Sequence, residues 1–463
     1  MKSGKNIFLT WQAGSGKTYV LNQYIQWCRD SDIPVAITAS TGIAATHIWW
    51  VTIHSRSGIG IAESLSESQI QAIASKNRIR SNIQKTSILI IDEISMLNAD
   101  MLDNIERIVQ AVRYDHSSWG GMQVIFCGDF FQLPPVSRAI DPASLFAFFA
   151  DARKEAELHF CYLETQWRQS DTEFGELLNA LRGGELTDEM LALLESRQDA
   201  DLWDRAYVRL YTHNKDVDRI NDEKLAELPW TSETYTAETK GKKNQINTLL
   251  KWMLTPEILE LKVWAKVLFT KNNPGVWYYN GTMGEVIEID SNTGYPRVHT
   301  NDDLEILVQP EEWMISNDED IVASVAQLPL KLARAITIHK SQGMTLDAAQ
   351  IDLSKSFTHG QSYVALSRLK HLDWLSLLWL NPDWLYTHDL VRRGDTYFAQ
   401  QSAQTVQQYS TLADADWEQL QDAFLDLVSE KYVSKSQKYP TSSAGSIDPL
   451  DLDPDVLGFA GDM

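Results

Sequence analysis

Ile7-Phe8-Leu9-Thr10 is a short, unbroken apolar run, and the stretch from Tyr19 to Cys28 behind it has the make-up of a helix. The alternation continues. Apolar runs of strand length recur at Pro34–Ala39, Ser87–Ile91, Gln123–Cys127 and Cys161–Glu164, with helical stretches between them. In one of these, Met101, Ile105, Ile108 and Val112 return at helical spacing. Strands alternating with helices predict an α/β fold with a mainly parallel sheet and ligands at the strands' C-terminal ends. Residues 55–80 are polar and helical in character and read as a small insertion. A second alternating region starts at Val208-Arg209-Leu210-Tyr211-Thr212 and resumes at Ala335–His339. Between them, 255–325 is β-rich, with Lys262–Phe269 and Gly284–Ile289 flanking the turn-like pair Asn280-Gly281. From 434 onward Ser, Pro, Gly and Asp dominate, which predicts a disordered acidic tail over 434–463. The expected organisation is therefore a first core over 1–170 carrying the 55–80 insertion, a second core over 171–254 and 326–433, a β insertion at 255–325, and the tail.

Composition narrows this little. A net charge of −22 argues against a protein that coats nucleic acid generally. It leaves room for a local basic channel. Cys28, Cys127 and Cys161 fall in apolar patterns without metal-ligand spacing, which predicts core thiols in a reducing compartment. No apolar run reaches membrane-spanning length and no leader pattern precedes Ile7, so we expect a soluble, cytoplasmic protein with no membrane partner.

The chemistry starts where the first strand ends. Trp11-Gln12-Ala13-Gly14-Ser15-Gly16-Lys17-Thr18 matches a phosphate-binding loop in every position but the first, in the strand–loop–helix context that such a loop needs. Gly14, Ser15, Gly16, Lys17 and Thr18 would cradle the phosphates of ATP. Lys17 would reach the outer phosphates, and the Thr18 hydroxyl would ligate magnesium. A second apolar run ends in Asp92-Glu93. Asp92 would hold the magnesium ion through water, and Glu93 would polarise the attacking water. A third ends in Gly128-Asp129-Phe130-Phe131-Gln132-Leu133-Pro134-Pro135, where the prolines stiffen the loop around the Gln132 amide.

Together with Thr38–Ala45, Thr52-Ile53-His54-Ser55, Arg168-Gln169, Ala335–Gly343 and Tyr363–Arg368, these segments resemble the petite integration frequency (PIF) family of superfamily 1B DNA helicases. The resemblance runs in order over about residues 5–385. It implies two RecA-like cores, a wedge-bearing insertion at 55–80 and an SH3-like insertion at 255–325. It also implies an ATP- and magnesium-dependent helicase that moves 5′ to 3′ on single-stranded DNA and at its junctions with duplex. Such an enzyme would serve DNA repair, recombination or telomere and replication maintenance, as a monomer in solution, at a bacterial-type nucleoid. Carried over, Gln132 would sense the γ-phosphate, and Arg168 and Arg368 would reach it as arginine fingers. Thr41, Thr52, His54, Ser55, His339, Lys340, Ser341 and Gln342 would lie along the strand. A RecD-like relative is the alternative within the superfamily. The family begins earlier, with a helix and a glutamine that help hold adenine. The resemblance thus implies either an earlier true start or weaker recognition of the base.

The tryptophans depart from the pattern. Trp11, Trp49, Trp50 and Trp264 stand where the family has glycine, as do Trp374 and Trp379 less clearly. Glycine is 23 of 463 residues, about 5% against roughly 7% on average, while tryptophans number 16. We expect these positions to be glycines encoded by UGA and decoded with a UGA-tryptophan table. Trp119 and Trp167 occupy aromatic positions of the family and should be genuine. UGG codons at 11, 49, 50 and 264 would overturn this expectation. Taken literally, an indole at 11 crowds the phosphate loop and leaves a single-stranded DNA-binding protein without a motor.

Overall fold

The computed structural model describes residues 1–12, 14–40, 51–60, 64–135, 142–163, 171–202, 207–253, 255–271, 273, 275–278, 282–300, 303–317, 320–346, 348–380, 382 and 385–438. Six strands form the first sheet: β1 (Ile7–Thr10), β2 (Val35–Ala39), β3 (Val51–Thr52), β4 (Ile88–Asp92), β5 (Gln123–Gly128) and β6 (His159–Tyr162), in the order β3-β2-β4-β5-β1-β6. All its pairings are parallel. The central strands are buried on both faces, so they read as continuous apolar runs rather than alternating ones. Helix α1 (Lys17–Asp30) buries Leu21, Tyr24, Ile25 and Cys28, one stripe at helical spacing.

The expected strand Cys161–Glu164 begins two residues earlier, because β6 pairs with β1 from His159 opposite Ile7. This edge strand is covered by the helix Asp389–Tyr409 near the chain's end. Phe398 stacks on Phe160 with centroids 4.9 Å apart, and the Tyr162 backbone N–H donates to Ser402 Oγ at 3.1 Å. An open edge invites pairing with other chains, and the helix removes it. The next helix, Asp414–Lys438, places Phe424 and Val428 in a cluster with Ile7, Leu9, Leu21 and Ile25. Residues 434–438 therefore extend a helix instead of opening the tail, and 439–463 lie outside the described residues.

Residues 55–80 carry the end of the helix Ile53–Ser57, the helix Glu67–Ala74 and the first half of Asn77–Gln84. Ile70, Ile79 and Ile83 join the same apolar cluster as Leu102 and Ile105 of the helix Ala99–Arg113. The second sheet has four parallel strands in the order Ala335–Thr337, Val208–Tyr211, Ala349–Asp352, Leu375–Trp379. Antiparallel strands between them run from Glu233 to Leu332, wider than 255–325. The strand Leu330–Leu332 pairs with Lys266–Phe269, and Glu233–Thr236 pairs with Ile258–Leu261. One apolar cluster joins Phe8, Phe126 and Leu133 of the first core to Leu210, Ile351 and Val364 of the second. Among the described residues, no helix is long and apolar enough to cross a membrane.

Candidate active site

Both parallel sheets present the C-terminal ends of their strands to one seam. In the phosphate loop, Gly14 (φ 85°) and Gly16 (φ 89°) take left-handed backbone that side chains resist. Gly16 caps α1 without a side-chain hydrogen bond, so the helix's first N–H groups remain available to an anion. Lys17 Nζ donates to the carbonyls of Trp11 at 2.6 Å and Gln12 at 2.8 Å. Among the described side chains, Ser15 Oγ is buried without a hydrogen-bond partner. Free helix-end donors, a lysine resting on loop carbonyls and an orphaned hydroxyl fit a bound triphosphate. Ala13 lies outside the described residues.

Asp92 ends β4, and its Oδ1 accepts the Glu93 backbone N–H at 2.9 Å. Burial pushes both carboxyls up. Glu93 rises to about 7, with Asp92 as the next cause and Lys17 and Arg368 opposing it. The second core reaches this pair directly, since Gln342 Nε2 donates to Glu93 Oε2 at 3.2 Å.

Past β5, Gln132 Nε2 donates to Asp129 Oδ2 at 3.4 Å. Asp129 in turn accepts Arg182 Nη1 on both oxygens, at 2.8 and 2.7 Å, in an ion pair that is almost wholly buried. Burial opposes the charge on Arg182, but Asp129, Tyr363 and Asp395 outweigh it and raise the guanidinium's pKa. Neither Arg182 nor Tyr363 was anticipated individually from the sequence. The available signal was a charged residue inside the apolar stripe Phe174, Leu177, Leu178, Leu181 of the helix Thr172–Gly183. Arg368 is fully buried just past the helix Gln361–Leu366, its Nε donating to Val364 O at 2.8 Å and Nη2 to Ser367 Oγ at 2.8 Å. Burial lowers its pKa and Glu93 counters this, so the two charges sense each other across the seam. Arg168 lies outside the described residues.

The residues expected along DNA divide. Thr52 Oγ1 accepts the Ser55 N–H at 3.2 Å and caps the helix Ile53–Ser57. Burial drops the His54 pKa to about 4. Because the unfolded imidazole titrates near 6.5, His54 favours the fold fully above that pH, and the contribution is lost as pH falls toward 4. We expect His54→Gln to recover about 2–3 kcal/mol of stability at pH 4 relative to pH 7.5, read from denaturant melts; equal pH dependence in both proteins would rule this out. His339 is half-buried, its ring parallel to Phe357 at 6.2 Å. Burial, then neighbouring Lys331, lowers the Lys340 pKa to about 8. Ser341 is fully buried and donates to Ile338 O at 2.8 Å, and Gln342 faces Glu93. Gln342 thus faces the seam, while the Ser341 bond stays within its own turn, His339–Ser341. Thr41 lies outside the described residues.

Backbone geometry sorts the tryptophans. Trp11 has φ 151° and Trp264 φ 72°. Trp264 is the third residue of a turn closed by Ala265 N–H to Lys262 O at 3.0 Å, where positive φ calls for glycine. Its side chain is half exposed, touching Trp230. Trp119 also has positive φ (53°), but its indole is wholly buried against Phe126 and donates Nε1–H to Ala152 O at 3.2 Å. That side chain has a site built for it. Trp374 has no positive φ and packs on His371, and Trp379 is exposed at a strand end. Trp49, Trp50 and Trp167 lie outside the described residues. The peptide Asn6–Lys17 from the native source should carry the mass of glycine at position 11; a tryptophan mass there overturns the decoding proposal.

A hydrolysis site shared between two parallel-sheet cores defines a P-loop motor ATPase. Known proteins narrow that class. The family model PIF1-like helicase matches residues 1–191. The ATP-dependent DNA helicase Pif1 of Psychrobacter sp. (strain PRwf-1) is 40% identical over 98% of this chain and 75% of its own length. Human ATP-dependent DNA helicase PIF1 is 36% identical over 82% of this chain, which spans 59% of that protein. The crystal structure of Pif1 helicase from Candida albicans superposes with a TM-score of 0.72 at 33% identity, covering 86% of this chain and 96% of that one. Pif1 from Bacteroides in complex with ADP-AlF3 and ssDNA gives 0.64 at 32% identity, over 86% and 94% of the two chains. The chain belongs to the PIF1-like helicase family, and its two cores are RecA-like.

Proposed function

We propose that this chain is an ATP-dependent DNA helicase that translocates 5′ to 3′ on single-stranded DNA and opens adjoining duplex. The observation that carries the reading is Gln342 of the second core bonded to Glu93 of the first. A nucleotide site built from both cores converts ATP binding and hydrolysis into closing and opening of the seam. Gly14, Ser15, Gly16, Lys17 and Thr18 would hold the phosphates, and Thr18 and Asp92 would hold magnesium, which would supply positive charge beside them. Glu93 orients and polarises the attacking water; Gln132, Arg168 and Arg368 stabilise the charge that develops. Thr41, Thr52, His54, Ser55, His339, Lys340, Ser341 and Gln342 follow the strand. We assign the enzyme to the cytoplasm, at the nucleoid, as a monomer acting in repair or recombination. The test is unwinding of a forked duplex with a 5′ single-stranded arm; ATP-dependent unwinding from a 3′ arm alone would refute the direction.

Lys340→Ala should weaken single-stranded DNA binding and lower the salt-dependence slope by about one phosphate contact. An unchanged slope in a salt titration would remove Lys340 from the interface. A second reading, a DNA-binding relative with a blocked fuel site, is favoured only by Trp11 taken as written, with its ring 5.1 Å from Tyr162 and its backbone at φ 151°.

A further inference from the structure

Arg182 has no part in the roles assigned above, yet it joins both cores. We propose that Arg182 is a positioning residue, tying the Gln132 loop of the first core to the helix that leads to Arg368 in the second, so that amide and guanidinium reach the γ-phosphate together. This rests on the ATPase reading and names a further residue of that site.

The tie is a chain of bonds. Arg182 Nη1 donates to both Asp129 oxygens and to Tyr363 Oη at 3.2 Å. Asp129 Oδ1 also accepts the Phe131 N–H at 3.2 Å, and Oδ2 accepts Gln132 Nε2 at 3.4 Å. The Gln132 amide is therefore aimed by a carboxylate whose own position Arg182 sets. On the other side, Tyr363 belongs to Gln361–Leu366, and Arg368 is anchored to that helix through Val364 O. The planar face of Arg182 lies 3.9 Å over the Phe131 ring, a contact that a lysine ammonium would not reproduce.

An independent observation places the same two segments in contact. Gly360, the N-cap of the Tyr363 helix at φ 81°, has no room for a side chain: a Cβ there would lie 2.5 Å from Gln132 O and 2.6 Å from Phe131 O. The backbones touch at one end of the loop and Arg182 bridges them at the other. Two contacts define the loop's orientation against the helix, where one would leave it free to pivot. Arg182 bonds to Asp129 and Tyr363, so it acts through Gln132 and Arg368.

The experiment compares R182K, Y363F and the double variant, each in the full chain carrying Trp11→Gly. R182K keeps the charge and removes the guanidinium that lies over Phe131; Y363F removes only the hydroxyl that joins Arg182 to the helix leading to Arg368. Expected are ATP KM, DNA affinity and melting temperature close to the parent, with DNA-stimulated kcat reduced on the order of tenfold to a hundredfold. The double variant should be no worse than the poorer single one, because both break the same tie. Parental kcat in both variants overturns the inference, as do strictly additive losses or a change confined to melting temperature. Should R182K fail to fold, Y363F decides alone. A parent without DNA-stimulated turnover overturns the functional reading and this inference with it.

Discussion

Trp11→Gly should raise DNA-stimulated ATP turnover by two orders of magnitude or more while leaving stability nearly unchanged. The stability terms oppose each other. Backbone at φ 151° is essentially reserved for glycine, and holding another residue there costs about 1–3 kcal/mol. The indole recovers part of this through Tyr162 at 5.1 Å and Arg182 at 5.7 Å, contacts worth about 0.5–1.5 kcal/mol each. Catalysis has no such offset. Trp11 O and Gln12 O are the acceptors on which Lys17 rests, so a bulky residue there governs whether the loop can turn its amides and its lysine onto phosphate. Misplacing such groups by about 1 Å costs on the order of a hundredfold. Steady-state hydrolysis with saturating single-stranded DNA makes the comparison, and equal kcat in the two proteins would show that the indole is harmless to the loop.

In that same Trp11→Gly background, Lys17→Ala should abolish hydrolysis and spare DNA binding. Lys17 is the cation we propose for the outer phosphates, and no other lysine or arginine of the first 20 residues follows it. Removing one preorganised donor to developing charge costs on the order of 10²–10³ in kcat, about 3–4 kcal/mol of transition-state stabilisation. Binding of single-stranded DNA without nucleotide should stay within about threefold, because Lys340 and His339 sit on the other core. Hydrolysis at the parental rate would remove Lys17 from the active site and the loop assignment with it.

Trp264 extends the same physics to a position remote from chemistry. A type II turn needs positive φ at its third residue whatever the protein does, so glycine is expected there for geometry alone. Trp119 shows the limit of the criterion, since its left-handed backbone is compensated by a fully buried indole with a hydrogen bond. Backbone strain identifies a misplaced tryptophan only where the ring has no cavity of its own.

Local pattern was enough for most of the fold because it is a local property. A doubly covered parallel strand must be apolar throughout, and α1 must show its stripe, so β1, β2, β4, β5 and the phosphate loop were legible from residues a few positions apart. The β insertion was legible in kind but not in extent. Leu330–Leu332 belongs to its sheet only through pairing with Lys266–Phe269, and nothing within three residues of Leu330 announces that partner. The same holds at the chain's end, where Phe424 and Val428 settle against β1 and α1 and draw residues 434–438 into a helix.

The sequence by itself determined the chemistry that one strand end can carry: Lys17 and Thr18 after β1, Asp92 and Glu93 after β4, Gln132 after β5. Each such set is contiguous, so covalent geometry alone brings it to the strand's C-terminal edge. Only the tertiary structure decided how those edges meet. Asp129, Arg182 and Tyr363 are distant in the chain and touch because two cores close on one apolar seam. Gln342 likewise turns into the seam, two residues from Lys340 in sequence but bonded to Glu93 in space. Periodicity reports which face of an element is buried; which partner is buried against it depends on packing between elements far apart in the chain.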